Sequence, residues 1–325
     1  MKKRLSPYMR LVDAEISRYL DRDVEELYKP LRNLFSRGGK RIRPALCMIS
    51  CEAVGGNRRD ALKAAAAIEM IHNFTLIHDD IADRSKLRRG KPCLHHKYGL
   101  GIAINAGDGL FSVAYEALSD AVIQSGKPEI IADITKATTR VCEGQAMDIS
   151  WVQERQWDLT EDAYLSMIRR KTGALMAVSC KVGGILGGGT KRQIDALANF
   201  GMDLGIGFQI HDDVLNLTGD VKKYGKEIGG DINEGKRTLA IIYTLALCTP
   251  EEKRRLTHIL DKEENSYEEI KETIEILNKY GSVERGANTA RELIEGGKKR
   301  LSVLPDSPAK KLLLDLASYI VKRER

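Results

Sequence analysis

Two copies of a short acidic motif, about 130 residues apart, constrain this chain more than any other feature of its sequence. The first copy, IHDDIAD, ends the segment from Glu69 to Asp83, and the second copy, IHDDVLN, begins at Ile210. Each copy follows an apolar, helix-forming run, so its carboxylates are predicted to lie on a helix and not in a surface turn. An isolated Asp-Asp pair is usually a solvated helix end, whereas two copies in the same setting favour a metal site.

The spacing within the first copy places two carboxylates on one side of the helix. An α-helix advances by about 100° per residue, so Asp79 and Asp83 lie roughly 40° apart and one turn from each other. Two like charges on an otherwise apolar helix are costly unless a cation lies between them. Mg²⁺ is the predicted cation, because it takes few carboxylates and leaves positions for water and substrate phosphate. The second copy supplies Asp212 and Asp213, and we expect the two acidic helix faces to frame one metal and phosphate site.

Cations cluster with glycines in two segments near the first motif. The segment GGKRIR at 38–43 precedes Pro44, and it is either an anion site at a helix N-terminus or an ordinary basic loop. A second basic loop, residues 84–92, follows the first motif directly, as expected if a polyphosphate joins cations and acids through metal. His72 lies two turns before Asp79, roughly 20° from it on the same face. It is predicted either to donate to a phosphate or to be a satisfied core histidine.

The composition indicates a protein with a sizeable core and small anionic ligands. Hydrophobic residues make up 42% of the 325 residues, and the formal net charge is +6. No basic stripe with interleaved aromatic residues is present, which favours anionic small-molecule substrates over nucleic acid. The six cysteines show no CxxC pair and no zinc-ligand spacing, which indicates buried thiols in a reducing cytosol. No segment approaches the length of an apolar membrane span, so we expect a cytoplasmic protein without a transmembrane segment.

Helical periodicity extends along most of the chain. Helices are predicted over these approximate ranges: 8–36 as one or two helices, 45–55, 60–84, 99–124, 128–153, 160–184, 191–217, and several between 237 and 325. No convincing period-two strand is present, so the predicted class is all-α, with a single domain over residues 1–325. The segment 219–238 shows little periodicity, and a loop of this length in a compact domain is usually functional.

Seven segments, in order, resemble the trans-isoprenyl diphosphate synthase family, also called polyprenyl synthetases. They are GGKRIRP, DDIADRSKLRRGKPCLH, GIAINAGD, GQAMD, the Lys171-Thr172 pair, GFQIHDDVLN and GDVKKYGKEIGGDINEGKRTL. The match runs from about Leu5 to the last residues. The resemblance implies a bundle of about ten or more long helices around a deep central cavity, usually paired as a homodimer. It also implies head-to-tail condensation of isopentenyl diphosphate with an allylic diphosphate, in trans and with Mg²⁺.

The resemblance assigns roles to residues at the matching motif positions. Three Mg²⁺ ions are expected, with ligands at Asp79, Asp83 and Asp212 and with supporting or water-mediated roles for Asp80, Gln209 and Asp213. The allylic diphosphate is expected to contact Arg88, Lys171, Thr172, Lys226 and Lys236. The isopentenyl diphosphate is expected to contact Lys40, Arg43, His72 and Arg89, with Arg323 closing over it. Asn216 stands where an aspartate commonly ends the second motif, which removes one charge from that position.

Product length is predicted from side chains one or two turns before Asp79, because the growing chain must run along the inside of the first acidic helix. In the family, the positions to read are the fifth and fourth before the motif, here Phe74 and Thr75. An aromatic followed by a small residue resembles archaeal-type geranylgeranyl diphosphate synthases, whereas two aromatics indicate farnesyl diphosphate and two small residues a longer product. On an ideal helix Phe74 lies about 140° from Asp79 and Thr75 about 40°, so geometry alone favours Thr75 as the wall. The resemblance favours Phe74.

Two other kinds of protein carry related acidic helices. A class I terpene cyclase, or a head-to-head squalene or phytoene synthase, needs no second cationic pocket for isopentenyl diphosphate, so Lys40, Arg43 and Arg89 count against both. A non-catalytic partner subunit should have lost acidic ligands, whereas this chain retains both clusters. The sequence also shows no Ser-His-Asp order, no nucleophile elbow and no catalytic-cysteine context. This agrees with ionisation of an allylic diphosphate assisted by metal and cations, in which the protein supplies no nucleophile.

Overall fold

Helices dominate the computed structural model, which describes residues 1–218 and 229–322. The α-helices are α1 (Lys2–Leu20), α2 (Glu25–Ser36), α3 (Ile42–Ala53), α4 (Leu62–Ala82), α5 (Leu94–Tyr98), α6 (Leu100–Ser125), α7 (Glu129–Gln153), α8 (Glu161–Ile168), α9 (Ala174–Leu186), α10 (Lys191–Thr218), α11 (Gly230–Asn233), α12 (Leu239–Leu245), α13 (Pro250–Leu260), α14 (Tyr267–Lys279), α15 (Ser282–Arg300) and α16 (Pro308–Lys322). A π-helix (Arg169–Gly173), a 3₁₀ turn (Leu301–Val303) and the strands β1 (Leu87–Arg88) and β2 (Lys91–Pro92) complete the elements. The all-α prediction is confirmed. Within the described ranges, no helix is long and apolar enough to cross a membrane.

A small hairpin interrupts the helices in the basic loop, where the sequence indicated no strand. Strands β1 and β2 pair antiparallel, with Arg88 opposite Lys91. The two residues between them, Arg89 and Gly90, have φ angles of 54° and 71°. Two consecutive residues with positive φ form the type I′ turn, whose twist matches that of the paired strands. The strands are too short to show alternation, which is why the pattern did not predict them.

The helix predicted over 160–184 is not a continuous α-helix, because a π-helix separates α8 from α9. Two glycines, one on the neighbouring helix α7 and one in the π-helix itself, leave room for this wider turn. A Cβ at Gly144 of α7 would overlap the backbone nitrogen of Lys171 and lie 2.8 Å from its Cα. A Cβ at Gly173 would lie 2.6 Å from Sδ of Met202 on α10. The wide turn carries Lys171 and Thr172, and π-turns of this kind are frequent at functional sites.

The chain folds as two compact units, each built from several separate segments of sequence. Unit one comprises residues 1–138, 175–201 and 300–316. Within it α4 packs against α6, α3 and α1, and the alanines 64–67 of α4 are fully buried. Gly183 lets α9 approach α3 closely, since a Cβ there would overlap the carbonyl oxygen of Cys47. Small side chains thus allow the close helix packing around α4.

Unit two comprises residues 139–174, 202–299 and 317–325, and it contains two apolar clusters. One cluster joins α10 and α12 to α13 and α14, and the other joins α8 and α10 to α12. Helix α13 begins with a capping box formed by Thr249 and Glu252, and α14 begins with one formed by Ser266 and Glu269. The single domain over residues 1–325 stays a prediction.

Candidate functional site

The first acidic motif lies at the C-terminal end of α4. The backbone N–H of Asp83 donates to the carbonyl oxygen of Asp79 at 2.8 Å, so the two aspartates are one turn apart as predicted. Asp80 is buried and accepts a hydrogen bond from Nε of Arg88 at 2.5 Å. Burial opposes the charge on Arg88, but Asp80 and Asp79 outweigh it and raise the pKa of Arg88 above its usual value. Asp80 therefore holds Arg88 beside the acidic face of α4.

The GGKRIRP segment turns between α2 and α3 and separates its cations. Arg41, at φ 46°, is the N-cap residue of α3. Lys40 is exposed, Arg41 is buried and Arg43 is partly buried. Nη1 of Arg43 lies 3.2 Å from Nε2 of His72 on α4. Two of the residues predicted to bind isopentenyl diphosphate, Arg43 and His72, are therefore direct neighbours.

The cluster of Arg43, His72 and Arg89 has more positive than negative charge. Burial and the positive charges of Arg43 and Arg89 together hold the pKa of His72 well below its usual value. Burial lowers the pKa of Arg43 to about 10, although Glu69 acts in the opposite direction, and burial also lowers the pKa of Arg89. Nε of Arg43 is buried and has no hydrogen-bond partner among the described residues. Cations held in this way, with one unused N–H, suit a polyanionic group such as a diphosphate.

The two adjacent arginines of the hairpin form hydrogen bonds with different partners. Arg88 pairs with the acidic motif, whereas Arg89 donates from Nη1 to the carbonyl oxygen of Gly38. A Cβ at Gly39 would lie 2.9 Å from Nη1 of Arg89 and 3.0 Å from Nη1 of Arg41. Glycine at this position therefore lets two guanidinium groups approach the backbone. Arg89 joins the GGKR loop, and Arg88 joins the aspartates, as two separate diphosphate pockets would require.

The second acidic motif lies on α10, within unit two, and its polar partners come from neighbouring helices. Asp213 accepts hydrogen bonds from the hydroxyl of Tyr164 at 2.6 Å and from Nε2 of Gln209 at 2.8 Å. The hydroxyl of Thr172 donates to Oε1 of Gln209 at 2.9 Å. A chain of hydrogen bonds therefore links the π-helix, α10 and α8 through Gln209 and Asp213.

Asp213 is subject to burial and to the charges of two other aspartates. Burial raises the pKa of Asp213 to about 7, and the nearby charges of Asp231 and Asp212 act in the same direction. Crowded carboxylates are relieved by a cation, and their hard oxygen atoms suit Mg²⁺. The donor set of unit two thus fits the predicted metal. Within residues 1–218 and 229–322, no group of three or more His, Cys, Asp or Glu side chains is arranged to coordinate a metal ion.

The predicted allylic-pocket lysines described in unit two are paired with carboxylates. Nζ of Lys171 lies 2.5 Å from Oδ2 of Asp148, which belongs to the GQAMD motif. Nζ of Lys236 lies 3.3 Å from Oδ1 of Asp231 and also pairs with Glu234. These ion pairs hold both ammonium groups in the neighbourhood of the second motif. Lys226 and Arg323, two further predicted ligands, lie outside the described residues.

Asn216, at the position where an aspartate is common, has a structural role. It is buried, and its Oδ1 accepts a hydrogen bond from the backbone nitrogen of Asp231 at 3.1 Å. The backbone carbonyl oxygen of Asn216 accepts a second hydrogen bond, from the backbone N–H of Gly229 at 2.9 Å. Asn216 therefore fixes the start of α11 and, with it, Asp231.

Phe74 and Thr75, the predicted chain-length residues, have different surroundings. The Phe74 ring centroid lies 4.9 Å from that of Phe111 on α6 and 5.2 Å from that of His78. Phe111 in turn lies 4.9 Å from Tyr115, so an aromatic row runs along α6. The hydroxyl of Thr75 donates to the carbonyl oxygen of His72 at 2.8 Å. Phe74 therefore reaches a neighbouring helix, whereas the hydroxyl of Thr75 bonds to its own helix.

The sequence pattern did not single out three polar residues that the structure places beside the predicted site residues. Tyr164 bonds Asp213, and the buried arginines Arg41 and Arg237 adjoin predicted ligands. No local pattern distinguishes Tyr164 from a core tyrosine. The two arginines had one sequence signal, because each ends a Gly-Lys-Arg tripeptide, at 39–41 and at 235–237.

Comparisons with known proteins agree with this arrangement. The family model for polyprenyl synthetase matches residues 24–277. The geranylgeranyl diphosphate synthase of Methanosarcina mazei is 43% identical over 315 residues, which cover 96% of this chain and 95% of that protein. The short chain isoprenyl diphosphate synthase of Methanothermobacter thermautotrophicus is 40% identical, with 98% of both chains covered. The crystal structure of geranylgeranyl pyrophosphate synthetase from Pyrococcus horikoshii superposes with a TM-score of 0.92 at 41% identity, covering 99% of this chain and 98% of that one. Because the family model matches most of the chain and these relatives match nearly all of it, this chain belongs to the polyprenyl synthetase family.

Proposed function

We propose that this prenyltransferase makes geranylgeranyl diphosphate by adding isopentenyl diphosphate, head to tail and in trans, to an allylic diphosphate. The observation that carries the proposal is the separation of Arg88 from Arg89 by the hairpin. Arg88 pairs with the first acidic motif, and Arg89 joins the GGKR loop. An enzyme that joins two diphosphates needs two such cation groups, whereas a cyclase with one diphosphate does not. The names of the relatives from M. mazei and P. horikoshii support the twenty-carbon product.

The proposed pockets are assigned from the motif positions, and contacts such as that between Arg43 and His72 support them. Isopentenyl diphosphate is assigned to Lys40, Arg43, His72 and Arg89. The allylic diphosphate is assigned to Arg88, Lys171, Thr172 and Lys236, together with Lys226. Mg²⁺ is assigned to Asp79, Asp83 and Asp212, with three ions per active site and with Asp80, Gln209 and Asp213 in support. The negative charges of Asp231 and Asp212 act on Asp213, which supports a cation there.

The proposed chemistry needs binding and electrostatic groups but no covalent nucleophile. When bound, Mg²⁺ supplies positive charge that stabilises the leaving diphosphate. Lys171 and Lys236 exchange carboxylate contacts for phosphate oxygens and so share in that stabilisation. The allylic C–O bond breaks to give an allylic cation, and the double bond of isopentenyl diphosphate supplies the electrons of the new C–C bond. The proton that then leaves is accepted by the released diphosphate.

We further propose a cytoplasmic homodimer. Apolar side chains of α6, among them Leu100, Ile104 and Ile123, are exposed and offer a surface for a second copy. The six cysteines are all described and are free thiols, which suits a reducing compartment; four are buried as expected, whereas Cys248 is partly buried and Cys142 is exposed. Light scattering of the purified protein would test the dimer, and a monomeric mass at micromolar concentration would contradict it.

Product analysis tests the proposed function against its alternatives. The purified protein is incubated with labelled isopentenyl diphosphate and with dimethylallyl, geranyl or farnesyl diphosphate in turn, and the products are sized. A twenty-carbon diphosphate is the expected end product. A fifteen-carbon or a longer end product would reassign the enzyme as a farnesyl or long-chain synthase. Cyclic hydrocarbons formed without isopentenyl diphosphate would indicate a cyclase, and no incorporation by the folded protein would indicate a non-catalytic partner.

A further inference from the structure

Two Lys-Arg pairs, Lys40-Arg41 and Lys236-Arg237, lie in loops that precede helices, the first before α3 and the second before α12. Each pair follows glycine, and each loop contains a glycine with a left-handed backbone: Gly38 at φ 75° in the first and Gly235 at φ 62° in the second. In both pairs the arginine is buried, with 2% of its surface exposed, while the lysine is more accessible. In each dipeptide the arginine is therefore the buried residue and the lysine is the more exposed one.

Within unit one, three helices hold the guanidinium of Arg41. Nε donates to Oδ1 of Asp13 on α1 at 2.8 Å, Nη1 donates to Oε1 of Glu69 on α4 at 3.0 Å, and Nη2 donates to the carbonyl oxygen of Phe35 on α2 at 3.2 Å. The same guanidinium lies 5.3 Å from the Phe35 ring centroid. Asn73 donates to Oε1 of Glu69 at 3.1 Å and so fixes this carboxylate. Arg41 therefore ties the turn after Lys40 to α1, α2 and α4.

Within unit two, Arg237 is held in the same manner. Nε donates to the carbonyl oxygen of Gln156 at 3.3 Å, Nη2 donates to Oδ1 of Asp261 at 3.3 Å, and Nη1 donates to the carbonyl oxygen of Gly235. The guanidinium lies 3.7 Å from the Trp157 ring centroid. The indole N–H of Trp157 donates to Oδ2 of Asp261 at 3.3 Å, which closes the network. Arg237 therefore fixes the loop immediately after Lys236.

We propose that Arg41 and Arg237 are positioning residues, each of which holds the preceding lysine, Lys40 or Lys236, where a diphosphate binds. This inference rests on the proposed function, which assigns Lys40 to isopentenyl diphosphate and Lys236 to the allylic diphosphate. A planar guanidinium bonded on three sides fixes its own backbone, so the adjacent lysine loses less freedom when it binds phosphate. A lysine in place of either arginine keeps the charge but cannot make the same fork of hydrogen bonds.

The test compares Arg41→Lys and Arg237→Lys by steady-state kinetics with both substrates varied. Arg41→Lys should raise the KM for isopentenyl diphosphate about tenfold and leave the KM for the allylic diphosphate within about twofold. Arg237→Lys should show the reverse pattern. A purely structural role would lower the amount of active protein, and so kcat, without separating the two KM values.

The controls use arginines that, like Arg41 and Arg237, lie over an aromatic ring and pair with a carboxylate, but that adjoin no predicted ligand. Arg58 lies over Tyr8 at 4.4 Å in unit one, and Arg285 lies over Tyr243 at 3.6 Å in unit two. Arg58→Lys and Arg285→Lys should leave both KM values unchanged. Equal changes in the controls and the test variants would overturn the proposal.

Double variants ask whether each arginine acts through its lysine. Arg41→Lys should raise the KM for isopentenyl diphosphate less in a Lys40→Ala background than in the wild type, and Arg237→Lys should behave likewise with Lys236→Ala for the allylic substrate. Full additivity would overturn the proposal. If Arg41→Lys and Arg237→Lys do not fold, Asp13→Asn and Asp261→Asn provide milder changes, because each weakens one hydrogen bond of the corresponding arginine. Each should raise the same KM as the arginine variant, but to a smaller degree.

The outcomes separate this inference from the proposed function. A wild-type protein that does not condense the two diphosphates would overturn both. A wild-type protein that does so, with variants that raise both KM values equally or change only kcat, would overturn the positioning role alone.

Discussion

Nη1 of Arg43 lies 3.2 Å from Nε2 of His72, and the histidine is held in its neutral form. The guanidinium can only donate, so the imidazole accepts through Nε2 and carries its proton on Nδ1. His72 thereby directs Arg43 without adding another positive charge to the cluster. A neutral, partly buried histidine in turn makes the stability of the protein depend on pH.

The free energy of unfolding should fall at mildly acidic pH because of His72. In the unfolded chain this residue titrates near pH 6.5, whereas burial and the neighbouring arginines lower its pKa in the folded protein. Below about pH 6.5 the unfolded state binds the proton first, which reduces stability by at most about 1.4 kcal/mol per pH unit. Urea titrations at about pH 7.5 and 5.5 should therefore show a larger loss for the wild type than for His72→Gln. Equal losses would contradict a neutral His72.

Activity should depend on a divalent cation, because the aspartates of each motif need one to offset their charge. EDTA should abolish turnover, and added Mg²⁺ should restore it. Asp79→Ala and Asp212→Ala should each lower kcat by orders of magnitude while the circular dichroism spectrum stays unchanged. Full activity in excess EDTA would rule out the proposed metal site.

The two diphosphate pockets should respond separately to substitution. Arg43→Ala should chiefly raise the KM for isopentenyl diphosphate, and Lys171→Ala should chiefly raise the KM for the allylic substrate, each by about tenfold or more for a lost charge-assisted contact. Lys271→Ala is the control, because this lysine is exposed on α14 and pairs with Glu275 one turn further along the same helix. Parallel effects of Arg43→Ala and Lys171→Ala on both substrates would argue for one shared pocket.

Phe74→Ala should lengthen the product beyond geranylgeranyl diphosphate. The ring lies five residues before Asp79, about 7.5 Å along the helix axis, and it packs on Phe111 of α6. Removal of the ring should open space for further isoprene units, whereas Thr75→Ala should produce a smaller shift. Chromatographic sizing of the products provides the measurement. An active Phe74→Ala variant with unchanged product length would make Phe74 a core residue only.

Gly144→Ala should reduce both stability and activity. The added Cβ would overlap the backbone of Lys171, so α7 and the π-helix must move apart, at a cost of about 1–3 kcal/mol. Gly296→Ala is the control, because nothing lies within 4 Å of a Cβ at that position of α15. The control should be neutral, or more stable by up to about 1 kcal/mol, as alanine favours a helix. Thermal unfolding and turnover of both variants test this, and equal behaviour would contradict the close approach at Gly144.

The sequence by itself determined the helical class, the family and the one-turn spacing of Asp79 and Asp83. These properties depend on the order of residues along a single helix or loop, and the period of apolar residues records that order. The basic segments were visible for the same reason, since glycine and cations adjoin one another in the chain. The π-helix and the type I′ hairpin were not visible, because each occupies only a few residues.

Only the tertiary structure decided which cation of each Lys-Arg pair is buried. Arg41 meets Asp13 and Glu69, and Arg237 meets Asp261, across long separations in sequence. The same is true of the hydrogen bond between Tyr164 and Asp213. A buried charge or hydroxyl is stable only where other elements bring a partner to it, so its role depends on packing and not on its neighbours in the chain.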